Sequence, residues 1–528
     1  DLIDLWVLPK PHKANLSKFK IFFCDFLKAF DQKKNKSFKS WFKKKVIFVK
    51  HHNLHTYSAI GSSGWQNGIY LNIDGGGDSG DRRHFVWGKF NNGKLYEHGS
   101  LKGFNGPASF HAYVTEFCGF RDENGKLSGF SGYGKVIKSL KNKFSEILHI
   151  KPDGIIFKRQ RYNKTIPDIQ KLDVSNYSRC KVFNDKISKT NISKICKGYK
   201  PHDIAATAED FLADILIRFL RIIKKKFKNE KKIIFSGGFF LNVKINNLIE
   251  QSKIFEENFF SMAPSDSGLS MGGIFSQKIK LSKKNLSNYG LNPYLGPSFK
   301  DNEVLHLLNS YNLKFTKPRN LERDISKEIS KKKIVGIFHD RAEFGLRSLG
   351  HRSILADPRY LSSKELINQK VKKRDWFMPF APAILDYKFN EYFSSNLPSL
   401  YMQKAEKINK RYKRKVPAAI HVDDSSRVQY VSKKFSPFFW DVIENFKKKT
   451  GIPIVLNTSF NRHGISTIAH PRQAIDHLLE GCIDILYLNK FRIDLNQNRI
   501  FKIRKKQLFV SDKINMKSFL INWKKKVS

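Results

Sequence analysis

The run His339–Arg359, H-D-R-A-E-F-G-L-R-S-L-G-H-R-S-I-L-A-D-P-R, carries Arg341, Arg347, Arg352 and Arg359, and Arg374 follows shortly after. An amphipathic helix or strand has no packing use for so many guanidinium groups. Each guanidinium presents a planar fork of N–H donors that meets phosphate or carboxylate oxygens two at a time. The chemistry this spacing points to is the holding of an anionic substrate in a shaped pocket. Gly345 and Gly350 punctuate the run.

A second constellation is His51-His52-Asn53-Leu54-His55. His51 and His55 are four apart, so on a helix they face the same way and can bind one metal ion, whereas His52 points elsewhere. A surface histidine cluster would give the same letters. A metal needs a further ligand from a distant segment, and Asp266 in Pro264-Ser265-Asp266-Ser267-Gly268 is the candidate. It precedes the small apolar stretch Gly268–Ile274, which reads as a helix start, so Ser265 or Asp266 could equally be a helix cap. Two histidines and one carboxylate leave open positions, which suits iron or another divalent ion.

Three strand ends add polar groups. Asp74 closes the strand-like run Ile69–Asp74 and is followed by Gly75-Gly76-Gly77, a carboxylate beside backbone able to wrap phosphate or metal. Ser236-Gly237-Gly238 with Asn242 follows Lys232–Phe235; glycines there let backbone approach a nucleotide, although a plain tight turn explains them too. Asn457-Thr458-Ser459-Phe460-Asn461 offers amides and hydroxyls at the end of Ile452–Leu456, or is an Asn/Ser turn. His421-Val422-Asp423 and Ser426-Arg427-Val428-Gln429 bring another arginine. Singly these are ordinary surface chemistry; with the arginine run they point to an anion site.

The elements that must position these groups form an α/β pattern. Val46–Val49, Ile69–Asp74, Lys232–Phe235, Ile334–Phe338 and Ile452–Leu456 read as strands. Helical periodicity covers 204–223, with a helix starting near Phe239 and further helices at Val304–Leu313 and Leu321–Lys331. Residues 277–300 lose periodicity and read as a linker. No internal repeat is visible.

At 528 residues with 40% hydrophobic and 13% aromatic content, the chain has material for two or three proper cores. Lys+Arg 97 against Asp+Glu 47 gives a formal charge of +50, which invites a nucleic-acid reading. The lysines are scattered through every segment, and Lys, Asn, Ile and Phe all have A/T-rich codons. A solvated surface with only nonspecific, low-salt adhesion to nucleic acid is the expectation. Cys24, Cys118, Cys180, Cys196 and Cys482 show no C-x-x-C spacing, as in a reduced cytoplasmic protein. No apolar run approaches the roughly 20 residues of a membrane span, and no signal peptide is visible.

Taken in order, the motifs resemble the carbamoyltransferases of the nodulation and antibiotic-tailoring type. The resemblance runs from about His51 to Leu488. Its markers are H-H-N-L-H, G-K-L-S-G-F-S-G-Y-G at Gly125–Gly134, S-G-G-F-F-L-N, Y-L-G-P-S-F, E-F-G-L-R-S-L-G-H-R-S-I-L-A-D-P-R, P-F-A-P-A-I-L, H-V-D-D-S-S-R-V-Q and N-T-S-F-N. It implies an N-terminal actin-like ATPase (ribonuclease H-like) domain over 1–290. A C-terminal α/β domain similar to the threonylcarbamoyl-adenylate synthase fold would occupy 291–528. It further implies that carbamoyl phosphate is cleaved in the second domain and that carbamate passes along an enclosed route to the first. There ATP and an iron-type metal support carbamoyl-adenylate formation and transfer to a hydroxyl of a sugar or natural product. By the resemblance His51, His55 and Asp266 look like the metal ligands, with Fe(II) or another divalent ion expected. Gly237, Gly238 and Asn242, with Asp74, look like nucleotide contacts. Arg347, Lys372, Arg427 and Ser459 look like the carbamoyl phosphate clamp. Partners are then small molecules, with no membrane, and a homodimer is allowed for.

The departures from the family pattern are specific. Met378 stands where an arginine precedes Pro-Phe-Ala-Pro, Leu346 where proline is usual, His351 where asparagine is usual and Asp340 where glycine is usual. Asn124 replaces a glutamate, and Ile465-Ser466 replaces a Glu-Pro pair. The family's first strand and its His-Asp segment are expected to precede residue 1. These departures keep a second expectation open: a degenerate homologue that binds nucleotide or nucleic acid without full turnover.

Overall fold

The apolar runs Ile69–Ile73 and Ile233–Phe235 both become buried strands, and they lie side by side. The computed structural model describes residues 6–9, 46–76, 82–103, 105–120, 123–157, 191–281, 292–372, 375–394, 399–462 and 465–498. Gly77, Arg374, Cys24 and Cys180 lie outside the described residues, as does 282–291 of the expected linker; residues 277–281 belong to a helix instead. The described residues fall into two compact units. One holds the chain to Gly125 and resumes at Lys135; the other holds Lys126–Gly134 and everything from Asn292 onward.

In the first unit, β1 (Trp6–Pro9) and β2 (Val46–Val49) pair in parallel. The main sheet contains β3 (Asn67–Ile73), β4 (Arg83–Asn91) and β5 (Lys94–Lys102). A small hairpin of β6 (Leu148–Lys151) and β7 (Gly154–Phe157) forms a separate two-stranded sheet that packs against Phe85 of β4. The main sheet is completed by β8 (Lys232–Ser236) and β9 (Glu257–Phe260), in the order β5-β4-β3-β8-β9. The first three strands are an antiparallel meander and the last two continue in parallel from β3. That is the ribonuclease H-like arrangement of a mixed α/β sheet. The helix Pro201–Lys226 begins with proline in its first turn and Asp203 beside it, and ends on Lys224, Lys225 and Lys226. Each charge opposes the nearer end of the helix dipole.

Two glycines set the approach of the helices that matter for the site. His51–Ser63 and Leu269–Leu281 pack so closely that a Cβ on Gly272 would lie 1.9 Å from the Leu54 carbonyl oxygen. A Cβ on Gly61 would lie as close to the Phe275 ring. The first helix stops at Gly64, whose left-handed φ of 71° lets its N–H bond back to the Ile60 carbonyl. The turn Asp266–Gly268 leads directly into the second helix, so the packing brings Asp266 toward the first turn of the histidine helix.

The second unit is built on seven strands. These are β10 (Val335–Phe338), β11 (Arg352–Ala356), β12 (Ala381–Leu385), β15 (Gln429–Val431), β16 (Ile454–Ser459), β17 (Ile485–Leu488) and β18 (Phe491–Asp494), in the order β15-β12-β16-β11-β10-β17-β18. The sheet is mixed, with parallel pairs β12/β15 and β10/β17. A short antiparallel pair, β13 (Ala405–Lys407) and β14 (Ser425–Arg427), stands beside it. Asn457 and Ser459 sit in the centre of the sheet, opposite Leu355 and Ser353 of β11. No helix among the described residues is long and apolar enough to cross a membrane.

Gly272→Ala should cost about 1–3 kcal/mol by forcing two backbones apart, seen as a lowered Tm. It should also weaken divalent-metal binding, because Asp266 moves with the second helix. Gly125→Ala, with no atom near the added carbon, should leave both unchanged.

Candidate functional site

The first turn of the helix His51–Ser63 points His51 and His55 the same way, with their Nε2 atoms 3.0 Å apart. Asp74 Oδ2 lies 3.2 Å from each of them. Asp266 Oδ1 lies 3.5 Å from His51 and 3.4 Å from His55. All four donor atoms fall within 4.8 Å of one another. Ligands held about 2.1 Å from one centre sit about 3.0 Å apart at right angles and about 3.4 Å apart at tetrahedral angles. The spacing therefore fits one divalent ion, and two imidazoles with two carboxylates suit a divalent ion such as Fe(II), Mn(II) or Zn(II). Ser265 makes no side-chain cap to the turn that Asp266 begins. The Asp266 carboxylate turns to the histidines.

Asp74 does two things at once. Its Oδ2 faces the histidines, while its Oδ1 accepts the N–H of Gly75 at 2.9 Å and of Gly238 at 3.2 Å. Burial alone would raise the Asp74 pKa, but the hydrogen bonds from His51 and His55 and the His55 charge hold it well below the usual carboxylate range. At Asp266 the histidine hydrogen bonds dominate and lower it likewise. At His55 burial works against the charge, yet hydrogen bonds to Asp266 and Asp74 prevail and raise it. His52 points away, with Nδ1 on Asn72 Oδ1 at 2.9 Å and Nε2 on the Arg83 carbonyl at 2.5 Å.

The glycine turn after β8 lies against the same carboxylate. Gly237 has φ of 92°, and a Cβ there would stand 2.2 Å from the Ile73 carbonyl oxygen, so only glycine fits. Asn242 caps the helix Val243–Gln251, its Oδ1 accepting from Lys244 and Ile245. Its Nδ2 donates to Glu209 Oε2 at 2.7 Å, and Glu209 Oε1 meets His111 Nε2 at 3.2 Å. Both ends of the Asn242 amide are thus engaged by the protein. The buried Glu209–His111 pair was not among the residues predicted. Its one sequence signal was a carboxylate on the inward face of the 204–223 periodicity, beside Ala208 and Leu212.

In the second unit Arg341 and Arg347 fall in the loop between β10 and β11, Arg352 opens β11 and Arg359 follows it. Glu343 organises the loop: one carboxylate oxygen accepts the N–H groups of Leu349 at 2.7 Å, His351 at 2.8 Å and Arg352 at 3.1 Å. Arg352, fully buried, donates to the carbonyls of His339, His351, Pro297 and Asp340 and lies on the Phe338 ring. Arg341 donates to the carbonyls of Gly296 and Leu295. Arg359 is paired with Asp357. Arg347 alone of the four has no hydrogen-bonding or ionic partner among the described residues. Burial, with no carboxylate near enough to offset it, pulls its guanidinium down to about 10. Asp340 has φ of 40°, a left-handed backbone that glycine adopts freely and aspartate tolerates.

Lys372 and Ser459 are brought into contact. The buried Lys372 ammonium donates to the Ser459 carbonyl (2.6 Å) and Oγ (3.0 Å) and to the Asn461 carbonyl (2.9 Å) and Oδ1 (2.7 Å). Arg347 is not bonded to either, but its neighbours are tied to the same sheet. Asn457 Nδ2 donates to the Ser348 carbonyl at 3.0 Å and to Gln429 Oε1 at 2.7 Å, and Gln429 Nε2 donates to the Leu349 carbonyl at 2.9 Å. Arg427 precedes Gln429 by two residues on the same stretch of chain. Met378 lies against Gly129, its sulfur 3.5 Å from where a Cβ would be.

Comparison with known proteins bears on both units. The family model described as Carbamoyltransferase N-terminus matches residues 10–274, and Carbamoyltransferase C-terminus matches 326–494. An uncharacterized protein of Methanocaldococcus jannaschii is 30% identical, over 87% of this chain and 85% of its own length. Nodulation protein NolO of Bradyrhizobium diazoefficiens is 28% identical, over 84% of this chain and 78% of its own. Among solved structures, the T. kodakarensis HypF crystal structure covers 54% of this chain and 41% of its own, with 14% identity and a TM-score of 0.32.

Metal binding at the four-ligand group should weaken as pH falls. Because His55 is raised above its ordinary 6.5, protons begin to displace metal above that pH, while Asp74 and Asp266 stay ionised. Calorimetric titration with Mn(II) should show tighter binding at pH 8 than at pH 6, with proton release. Asp74→Asn and His55→Ala should each lose at least about 10-fold in affinity.

Proposed function

The chain belongs to the carbamoyltransferase family, and from that membership we propose that it is an O-carbamoyltransferase supplied by carbamoyl phosphate and ATP. Carbamoyl transfer follows from the family itself. The finer reading is that carbamoyl phosphate is cleaved in the second unit. Carbamoyl-adenylate is then made from ATP in the first unit, and the acceptor is a hydroxyl of a sugar or natural product. The observation that carries it is the sorting of the arginine run. Three guanidiniums are engaged by the protein's own carbonyls and Asp357, and Arg347 has no such partner among the described residues.

Chemically, Arg347 and Arg427 would hold the phosphate group with paired, charge-assisted hydrogen bonds. Lys372, already fixed by four oxygens, keeps Ser459 and Asn461 in place at the strand end, where hydroxyl and amide can orient a planar carbamoyl group. In the first unit, Gly237 and Gly238 let backbone approach a nucleotide beside Asp74. Glu209 and the cap to Val243–Gln251 hold Asn242 rigid next to it. A divalent ion bound by His51, His55, Asp74 and Asp266 would supply Lewis acidity to a carbamate or phosphate oxygen.

Incubation of the chain with ATP, Fe(II), carbamoyl phosphate and a panel of sugar and natural-product hydroxyl acceptors should yield AMP, pyrophosphate and a carbamoylated product. Absence of AMP and pyrophosphate with every acceptor would sink the reading. Arg347→Ala should raise the KM for carbamoyl phosphate by about 10²-fold, in keeping with the loss of one or more charged hydrogen bonds at about 1.5–3 kcal/mol each.

A further inference from the structure

His421 is buried, and its Nδ1 meets Asp423 Oδ1 at 3.1 Å. That carboxylate oxygen is itself fixed by the Ser425 N–H at 3.1 Å and the Ser425 hydroxyl at 2.5 Å. The opposite ring nitrogen, Nε2, is buried and has no hydrogen-bond partner among the described residues. An isolated buried imidazole nitrogen costs free energy unless a ligand or water completes it. A histidine oriented through Nδ1 by a carboxylate, with Nε2 left free, has the arrangement of a general base.

The surroundings hold the ring in place. A Cβ on Gly132 would lie 2.3 Å from His421 Cε1, and the Tyr133 ring packs edge-on at 5.5 Å. Both residues belong to Lys126–Gly134, the segment that packs with the second unit. The turn that carries His421 runs through Arg427 into Gln429, whose amide bonds to the Leu349 carbonyl two residues from Arg347.

We infer that His421, oriented by Asp423, is the acid–base group for phosphate release from carbamoyl phosphate, an inference that rests on the carbamoyl phosphate reading above. A water oxygen bonds to phosphorus, and the P–O bond to the carbamoyl oxygen breaks. Carbamate leaves with that electron pair. One water proton passes to His421 Nε2 and on to solvent; the other stays on the phosphate. The titratable and charged groups around His421 are Asp423 and Asp424 of its own turn, Tyr133 of Lys126–Gly134, and Lys407 of β13, which donates to the Asp423 carbonyl at 2.5 Å.

The test is phosphate release from carbamoyl phosphate by the whole chain across a pH series, corrected for spontaneous decay. His421→Gln should lower kcat by about 10²-fold or more, keep KM within about 3-fold and abolish the loss of rate at acidic pH. Asp423→Asn, which preserves the hydrogen bond's geometry, should lower kcat by about 10-fold with KM unchanged, and serves if His421→Gln does not fold. In ¹⁸O-labelled water the label should enter phosphate. A His421→Gln enzyme (or, in its place, Asp423→Asn) with native kcat and pH profile overturns the inference alone, as does label in carbamate. A native chain that releases no phosphate overturns the carbamoyl phosphate reading and the inference with it.

Discussion

Everything in the first unit hangs on one carboxylate. Asp74 directly follows β3, and its backbone N–H is held by the His84 carbonyl of β4 at 3.0 Å. Its two oxygens then face different groups, Oδ2 the histidines and Oδ1 the N–H of Gly238. A charge that is largely buried survives there because imidazoles on one side and backbone amides on the other replace its hydration. The consequence is mechanical. The His51/His55 group and the glycine turn share a carboxylate bridge, so a shift of either is felt by the other. The close helix packing through Gly272 closes the set from the opposite side.

The second unit solves a different problem, that of keeping one arginine free in a cluster. A long loop rich in arginine would collapse onto whatever acceptors it met. Here the acceptors are assigned in advance. Glu343 takes three backbone amides and so shapes the loop. Arg352 and Arg341 fill the carbonyls of the loop and of Leu295–Pro297, and Arg359 neutralises Asp357. With those positions satisfied, Arg347 is left without a partner among the described residues, and burial lowers its guanidinium pKa to about 10. The arginine density that stood out in the sequence is therefore mostly scaffold.

Much of this was legible in the chain and some was not, for definable reasons. Strands ending near Asp74, at Phe235 and at Leu456 were visible because apolar runs stopped by Gly, Asn or Ser leave a clear boundary, although the third runs on to Ser459. The i, i+4 histidines were legible because helical geometry forces them together. What could not be read was which oxygen of Asp74 faces what, since a carboxylate followed by glycines fits phosphate and metal equally. By the family resemblance Asn242 looked like a nucleotide contact; folding makes it a helix cap whose other end is on Glu209, a partner 33 residues away in sequence. Pairings of that range depend on how helices dock, and no local pattern encodes them. The helix foreseen near Phe239 begins only at Val243, because the turn Gly238–Leu241 comes first and Asn242 defines the start.

The departures from the family pattern acquire unequal weights once the backbone is known. Asp340 occupies a left-handed position where aspartate is among the few tolerable residues besides glycine, so this change preserves the loop. His351 keeps a polar contact, its Nδ1 on the Arg341 carbonyl at 2.8 Å, and adds a stack on Tyr294 at 3.9 Å. Leu346 and Ile465 are about half exposed and perturb little inside the unit. Met378 is different in kind, because it exchanges a charge for a thioether beside Gly129. That neighbour belongs to the same segment that encloses His421, through Gly132 and Tyr133. The exchange therefore falls on the segment Lys126–Gly134, whose Gly132 and Tyr133 pack around His421.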